Sequence, residues 1–238
     1  CKIERYAGNG TPGDPYQYRV ASDYANRPVN CVSYWDACRF ANWLHNGQPT
    51  GAQGTGTTET GAYTLNGYNG TDGRTIQRNA GWKWAVTSED EWYKAAYHKN
   101  DGVTGNYFDY PTSSNTLPSN IVTNPDSGNN ANYYDYRGTG NGTWSIGSPY
   151  YRTEVGEFEN SDSPYGTFDQ GGNVWEWNES IVYQDATYAF RGLRGGSFHY
   201  DSILHASDRS SIFPSGEGDT VGFRVSEVPE PASLLLLA

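Results

Sequence analysis

The stretch GGNVWEW, Gly171–Trp177, sets a carboxylate, Glu176, between two tryptophans just after a pair of glycines. An apolar residue would pack there more easily, because a buried carboxylate without a partner is strongly destabilising. Glu176 therefore calls for a positive charge beside it, and an arginine such as Arg194 or Arg224 is one source. Upstream lies an acidic loop, NSDSPYGTFDQ, Asn160–Gln170; downstream lies a second Gly-rich stretch, RGLRGGSF, Arg191–Phe198.

Outward from this centre, the segments GWKWAV, NVWEW, GLRGGSF and VGFRVS read as short strands, each bounded by Gly or polar turns. Two segments read as helices. In VSYWDACRFANWLHNG, Val32–Gly47, Ser33 is an N-cap with Asp36 in the capping-box position. Ala37, Phe40, Ala41 and Leu44 make an apolar stripe, and Gly47 supplies a left-handed C-cap. In TSEDEWYKAAYHKNDG, Thr87–Gly102, Ser88 and Glu91 form the box, Trp92, Ala95 and Ala96 the apolar face. Acids lie early and lysines late, which suits the helix dipole. Between about residues 47 and 79, and again between 111 and 144, the chain is rich in Gly, Asn and Thr without a period. Loops of that length are functional or ordered by something other than an apolar core, a bound ion being one such agent.

The composition agrees with a loop-rich fold. Among 238 residues there are 29 Gly, 20 Tyr and 8 Trp, no Met, and only 35% apolar residues, so large amphipathic rings must clamp irregular backbone. Few charges, with Asn, Gly, Ser and Thr in their place, point to an exported protein. A net charge of −11 argues against nucleic acid and is compatible with cation binding. Cys1, Cys31 and Cys38 fit no zinc or CxxC spacing. No stretch is long enough to cross a bilayer. The end of the chain, VPEPASLLLLA, is a semi-rigid Pro-Glu-Pro exit followed by an apolar plug, expected to pack on a neighbouring subunit. The domain division is thus a single domain over 1–227 and a tail over 228–238.

The ordered segments RPVNCVSYWDACRFANWL, WAVTSEDEWYKAAY, SPYGTFDQGGNVWEW, RGLRGGSF and VGFR, spread from about Tyr18 to Val225, resemble the formylglycine-generating enzyme (sulfatase-modifying factor) family. The resemblance implies an α+β fold, a variant of the C-type-lectin fold with a twisted antiparallel sheet, two helices and long irregular loops. It also implies a strand and helix ahead of the region where this chain begins, so the N-terminal sheet edge is expected to be incomplete. The tail is similar to the start of a PEP-CTERM sorting signal, which implies export to the surface of a Gram-negative bacterium.

Enzymes of the family oxidise a client cysteine with two copper-holding cysteines placed just after the RGGS strand. The matching positions here are Tyr200 and His205, so the expectation is a protein that is not an enzyme. The family's segment matching DQGGNVWE wraps Ca²⁺. Carried across, Asp169 and Glu176 would give carboxylate oxygens, and Gly172 and Val174 backbone carbonyls. Against this stands pairing of Glu176 with Arg194 or Arg224. A second calcium site of the family would involve Asn132 and the Tyr133 carbonyl, but its other ligands do not align.

The stretch 198–211 occupies the family's client-binding face, with Phe198, Tyr200, Asp201, His205 and Arg209 as candidate ligand-binding residues. The plain alternative is a solvated loop, and His199 and His205 belong to no carboxylate–His–nucleophile set. Three functions follow. The first is a calcium-stabilised exported surface protein that assembles with copies of itself through the tail and an open sheet edge. The second is a lectin-like module binding a glycan, peptide or surface polymer through 198–211. The third, with least support, is a copper-dependent cysteine oxidase.

Overall fold

A computed structural model describes residues 2–11, 14–199 and 203–228. Strands β1 (Ile3–Tyr6) and β2 (Gln17–Val20) form an antiparallel hairpin, followed by a 3₁₀ turn at Ser22–Tyr24. Helix α1 (Tyr34–His45), strand β3 (Trp84–Val86) and helix α2 (Glu89–Tyr97) come next. Then β4 (Trp175–Gln184), β5 (Ala189–Arg194), β6 (Ser210–Ile212), β7 (Val221–Phe223) and β8 (Val225–Glu227) complete the order.

Both helices start as their sequences dictate. The Ser33 hydroxyl accepts from the Asp36 N–H while Asp36 accepts from the Ser33 N–H, and Ser88 and Glu91 repeat the arrangement. At the end of α1, Gly47 at φ 78° donates to the Leu44 carbonyl and Gln48 to that of Trp43, a Schellman closure. The buried face of α1 differs from the expected stripe. Tyr34, Trp35, Ala37, Cys38 and Ala41 enter the core, whereas Phe40 is 42% exposed and rests on Trp43 and Phe223. On α2, Trp92, Ala96 and Tyr97 are buried.

The central sheet runs β6–β5–β4–β7 and is mixed: β4 pairs antiparallel with β5 but parallel with β7. β3 pairs with β8 in a separate two-stranded ladder. The expected α+β fold with its antiparallel pairing and two helices is present, the strands among the described residues being divided between three small sheets. Two strand boundaries explain this. The segment VGFRVS is two strands, not one, because the chain changes partner at Arg224, pairing with β4 before it and β3 after it. The segment GLRGGSF supplies only the end of β5. Gly195 and Gly196 take φ of 92° and 74° and leave the ladder, and a Cβ on Gly195 would meet the Gln170 carbonyl at 2.5 Å.

The main core gathers Tyr34, Trp35, Tyr63, Val86, Trp175, Trp177 and Leu193 between α1, β3 and the central sheet. The long loops are ordered by buried polar side chains. Glu59 accepts from Arg39 Nε at 2.7 Å, Gln53 Nε2 at 2.6 Å and the Gly67 N–H at 2.5 Å. Asn42 donates to the Thr58 and Tyr63 carbonyls and accepts from the Tyr63 N–H. In the second loop, Asp135 accepts the N–H groups of Arg137, Thr139, Gly140 and Gly142. Asn120 donates to the Tyr133 and Thr143 carbonyls. These side chains do locally what ladders do elsewhere, satisfying backbone that has no strand partner.

Candidate functional site

Glu176 lies on β4, 5% exposed, opposite Gly222 of β7. Its Oε1 accepts from Arg224 Nη2 at 2.6 Å, and its Oε2 accepts from Arg224 Nε and from Trp92 Nε1 at 2.6 Å. Arg224 Nη2 also donates to the Phe168 carbonyl at 3.1 Å. The break between β7 and β8 aims Arg224 inward, and the N-capped α2 brings the Trp92 indole to the same carboxylate. Arg194, cross-strand from Glu176, turns away to Glu89 at 2.6 Å and to the Ala206 and Asp208 carbonyls. Burial works against the Arg224 charge, yet Glu176 and Asp169 hold its pKa above the ordinary value.

The other three expected calcium ligands flank this pair. Asp169 accepts from the Gly156 N–H at 2.8 Å, and loss of hydration pushes its carboxyl up from the ordinary value. Gly172, at φ 77°, lies so close to Asn132 that a Cβ would meet the Asn132 carbonyl at 2.1 Å, and Val174 is buried against Gly222. As a calcium cage this set does not fit. Both Glu176 oxygens are engaged by a guanidinium, one Asp169 oxygen is held by the Gly156 N–H, and calcium asks for six to eight oxygens. Among the described residues no group of three or more His, Cys, Asp or Glu is arranged to hold a metal ion. Near the family's second site, Asn132 Oδ1 is buried without a partner, while the Tyr133 carbonyl accepts from Asn120 Nδ2 at 3.1 Å.

Three residues of the candidate ligand face, Phe198, His205 and Arg209, are described. Tyr200 and Asp201 lie outside the described residues, as do Cys1 and the tail from 229. His205 accepts or donates at Ser207 Oγ, 2.8 Å away, and sits edge-on to Tyr110. Arg209 pairs with Glu89 at 2.9 Å. Phe198 is only 6% exposed and stacks on Tyr151 at 5.8 Å, so it belongs to an interior wall rather than an open surface. That wall bounds a cleft of about 400 Å³ together with Asn30, Cys31, Trp144, Tyr151, Arg152 and His199. Of these, the sequence places only Phe198 in a site; His199 and Cys31 are weighed there and left without a role, and the rest carry no mark of their own. The only signal was a run of rings about one arginine, SPYYRT, with no period to give it meaning.

The two described cysteines are free and unlike. Cys31 is exposed on the cleft, and Cys38 is sealed in α1, where burial raises its thiol pKa well above the ordinary value.

The family described as Sulfatase-modifying factor enzyme 1-like domain matches residues 7–228. Among solved structures, CarF is similar with a TM-score of 0.61 at 19% identity, over 96% of this chain and 76% of that one. Treponema denticola variable protein 1 is similar with a TM-score of 0.51 at 20% identity, over 86% and 72%. PvdO from Pseudomonas aeruginosa has a TM-score of 0.49 at 18% identity, over 92% and 70%. At these identities the likeness is one of fold. No curated protein matches the chain by sequence.

Proposed function

The chain belongs to the sulfatase-modifying factor enzyme 1-like domain family, and we propose from that premise that it is a member without oxidase chemistry, an exported surface protein that associates with copies of itself. The non-catalytic part of the reading rests on Tyr200 and His205 standing where the family's cysteines are expected. Export is supported by the Asn-, Gly- and Tyr-rich composition and by a tail similar to a PEP-CTERM signal. In this reading the positive charge at Glu176 is Arg224, and calcium has no structural part.

The observation that carries self-association is the β1–β2 arm. All eight of its strand residues are exposed. The register puts Ile3 opposite Val20 and Arg5 opposite Tyr18 on one face, with exposures of 51% for Ile3 and 61% for Tyr18. A two-stranded ribbon is marginal alone in water, and an unpaired edge is a template for another chain. The opposite face is tied down by the Glu4–Arg19 pair at 2.8 Å, which leaves the apolar face as the one to cover. Sedimentation and negative-stain microscopy test this. The chain should form species larger than one copy, and Ile3→Ser with Val20→Ser should return it to monomer with an unchanged melting temperature. A monomer at every concentration would end the reading.

A second reading, a recognition module of lectin type, is favoured by the ring-lined cleft at Phe198. Aromatic faces suit a sugar or a planar ligand. Retention of monomeric protein on a polysaccharide column, lost on Trp144→Ala, would favour it.

A further inference from the structure

Twelve of the sixteen basic residues in this acidic chain are arginines, and among the described residues nearly every inward-facing guanidinium has an evident partner. Arg39 meets Glu59 at 2.7 Å, Arg194 meets Glu89, Arg224 meets Glu176, and Arg78 bridges Glu91 and Glu179. Arg191 instead donates to the Gly73, Ile76 and Glu179 carbonyls. Arg152 stands apart. It is 8% exposed, yet its guanidinium makes no ion pair and no hydrogen bond among the described residues, and its Nε is sealed from solvent without an acceptor. Its one neighbour of note is the Phe198 ring, 5.9 Å away, which cannot accept from Nε in the plane of the guanidinium. Burial depresses its pKa, and the nearby Tyr24, Cys31 and Asp219 oppose that only in part.

Arg152 lines the cleft of about 400 Å³, and it is not the only unmet group there. Asn30 Oδ1 is buried without a donor, its Nδ2 being fixed on the Asp219 carbonyl at 2.5 Å, and Trp144 Nε1 is buried without an acceptor. Along the same wall run Trp144, Tyr151 and Phe198, with ring centroids 5.4 and 5.8 Å apart in succession. Arg27, which donates to the Arg152 carbonyl and lies 4.1 Å over the Tyr150 ring, adds a second positive charge nearby. Three unmet polar groups beside a continuous aromatic wall are the features of a ligand pocket: a few placed polar contacts in an apolar lining.

We propose that this cleft binds a small organic monocarboxylate, whose carboxylate is taken by the Arg152 guanidinium and whose planar or apolar body lies along Trp144, Tyr151 and Phe198. A guanidinium presents parallel donors that match a carboxylate. A single negative charge suits the site better than a phosphate dianion, because Arg152 is the one arginine or lysine among the described residues lining the cleft, Arg27 lying outside that lining, and Asp219 lines it too. Asn30 Oδ1 is left to accept from a hydroxyl or amino group elsewhere on the ligand. The site goes beyond self-association and gives a ligand class to the recognition reading. Its failure would leave the arm untouched, and monomeric arm variants should bind as the parent does.

Cys31, exposed on the cleft, is a built-in reporter. In a Cys1→Ser background of the full chain, the rate of Cys31 alkylation by iodoacetamide and the melting temperature are followed against benzoate, phenylacetate and indole-3-acetate. Each acid is paired with its neutral amide. At least one acid should slow alkylation and raise the melting temperature, with its amide weaker by at least about tenfold. Arg152→Met should abolish that preference and, without ligand, raise the melting temperature, because an unpaired buried charge is removed; Arg152→Lys should keep part of the preference. The proposal is overturned if none of the acids protects Cys31 or if acid and amide protect equally. It is equally overturned if Arg152→Met lowers the melting temperature, which would make Arg152 a structural residue.

Discussion

Glu176 shows how one residue can announce a need whose remedy lies elsewhere in the chain. Its place between Trp175 and Trp177 demands a cation, and the fold supplies one from its own chain at Arg224, with the Trp92 N–H as a third contact. Arg224→Met leaves a buried carboxylate with one neutral donor, and it should lower unfolding free energy by about 3–5 kcal/mol in urea titrations. Changing Glu176 to Gln as well should restore part of that loss, since the uncompensated charge is then gone. Because both Glu176 oxygens are already engaged by Arg224, the melting temperature in EDTA should equal that in excess Ca²⁺. The need was legible in sequence because charge beside two large rings is a local pattern. The choice between Arg194 and Arg224 was not, since it turns on a register in which Arg194 finds Glu89 instead.

At the level of elements, the helices were the most readable. Capping boxes and a terminal glycine are contiguous signals, and both boxes and the Gly47 closure form as their residues specify. Strands read less well because their ends depend on partners far away in sequence, as the break of VGFRVS at Arg224 illustrates. The loops were opaque for a different reason: their order comes from single buried hubs such as Asp135, whose carboxylate gathers four N–H groups over 137–142. Burial would raise that carboxyl, but the N–H groups of Gly140, Gly142 and Thr139 outweigh it and hold the pKa below 3.8. A depressed folded value means the hub contributes fully above pH 3.8 and is lost as pH falls below it. Hydrogen exchange at Gly140 and Gly142 should therefore quicken on acidification beyond the intrinsic trend. Asp135→Ala should lower local opening free energy there by about 2 kcal/mol at neutral pH, leaving β4 and β5 protected.

For the molecule as a whole, three small sheets and two helices among the described residues carry a surface of loops on the family scaffold. The proposed lack of oxidase chemistry rests on Tyr200 and His205 standing where the family's thiol pair is expected. The recognisable part is the scaffold, since its motifs are contiguous; the cleft around Arg152 was hidden because its walls come from segments near 30, 144–152 and 198. The most direct test of this account is a turnover measurement. The chain is supplied with Cu(I), oxygen and a cysteine-containing peptide, and conversion of the thiol to the aldehyde is followed by mass spectrometry. The account predicts no conversion above that of copper and peptide alone; conversion that scales with protein and disappears in His205→Ala would contradict it.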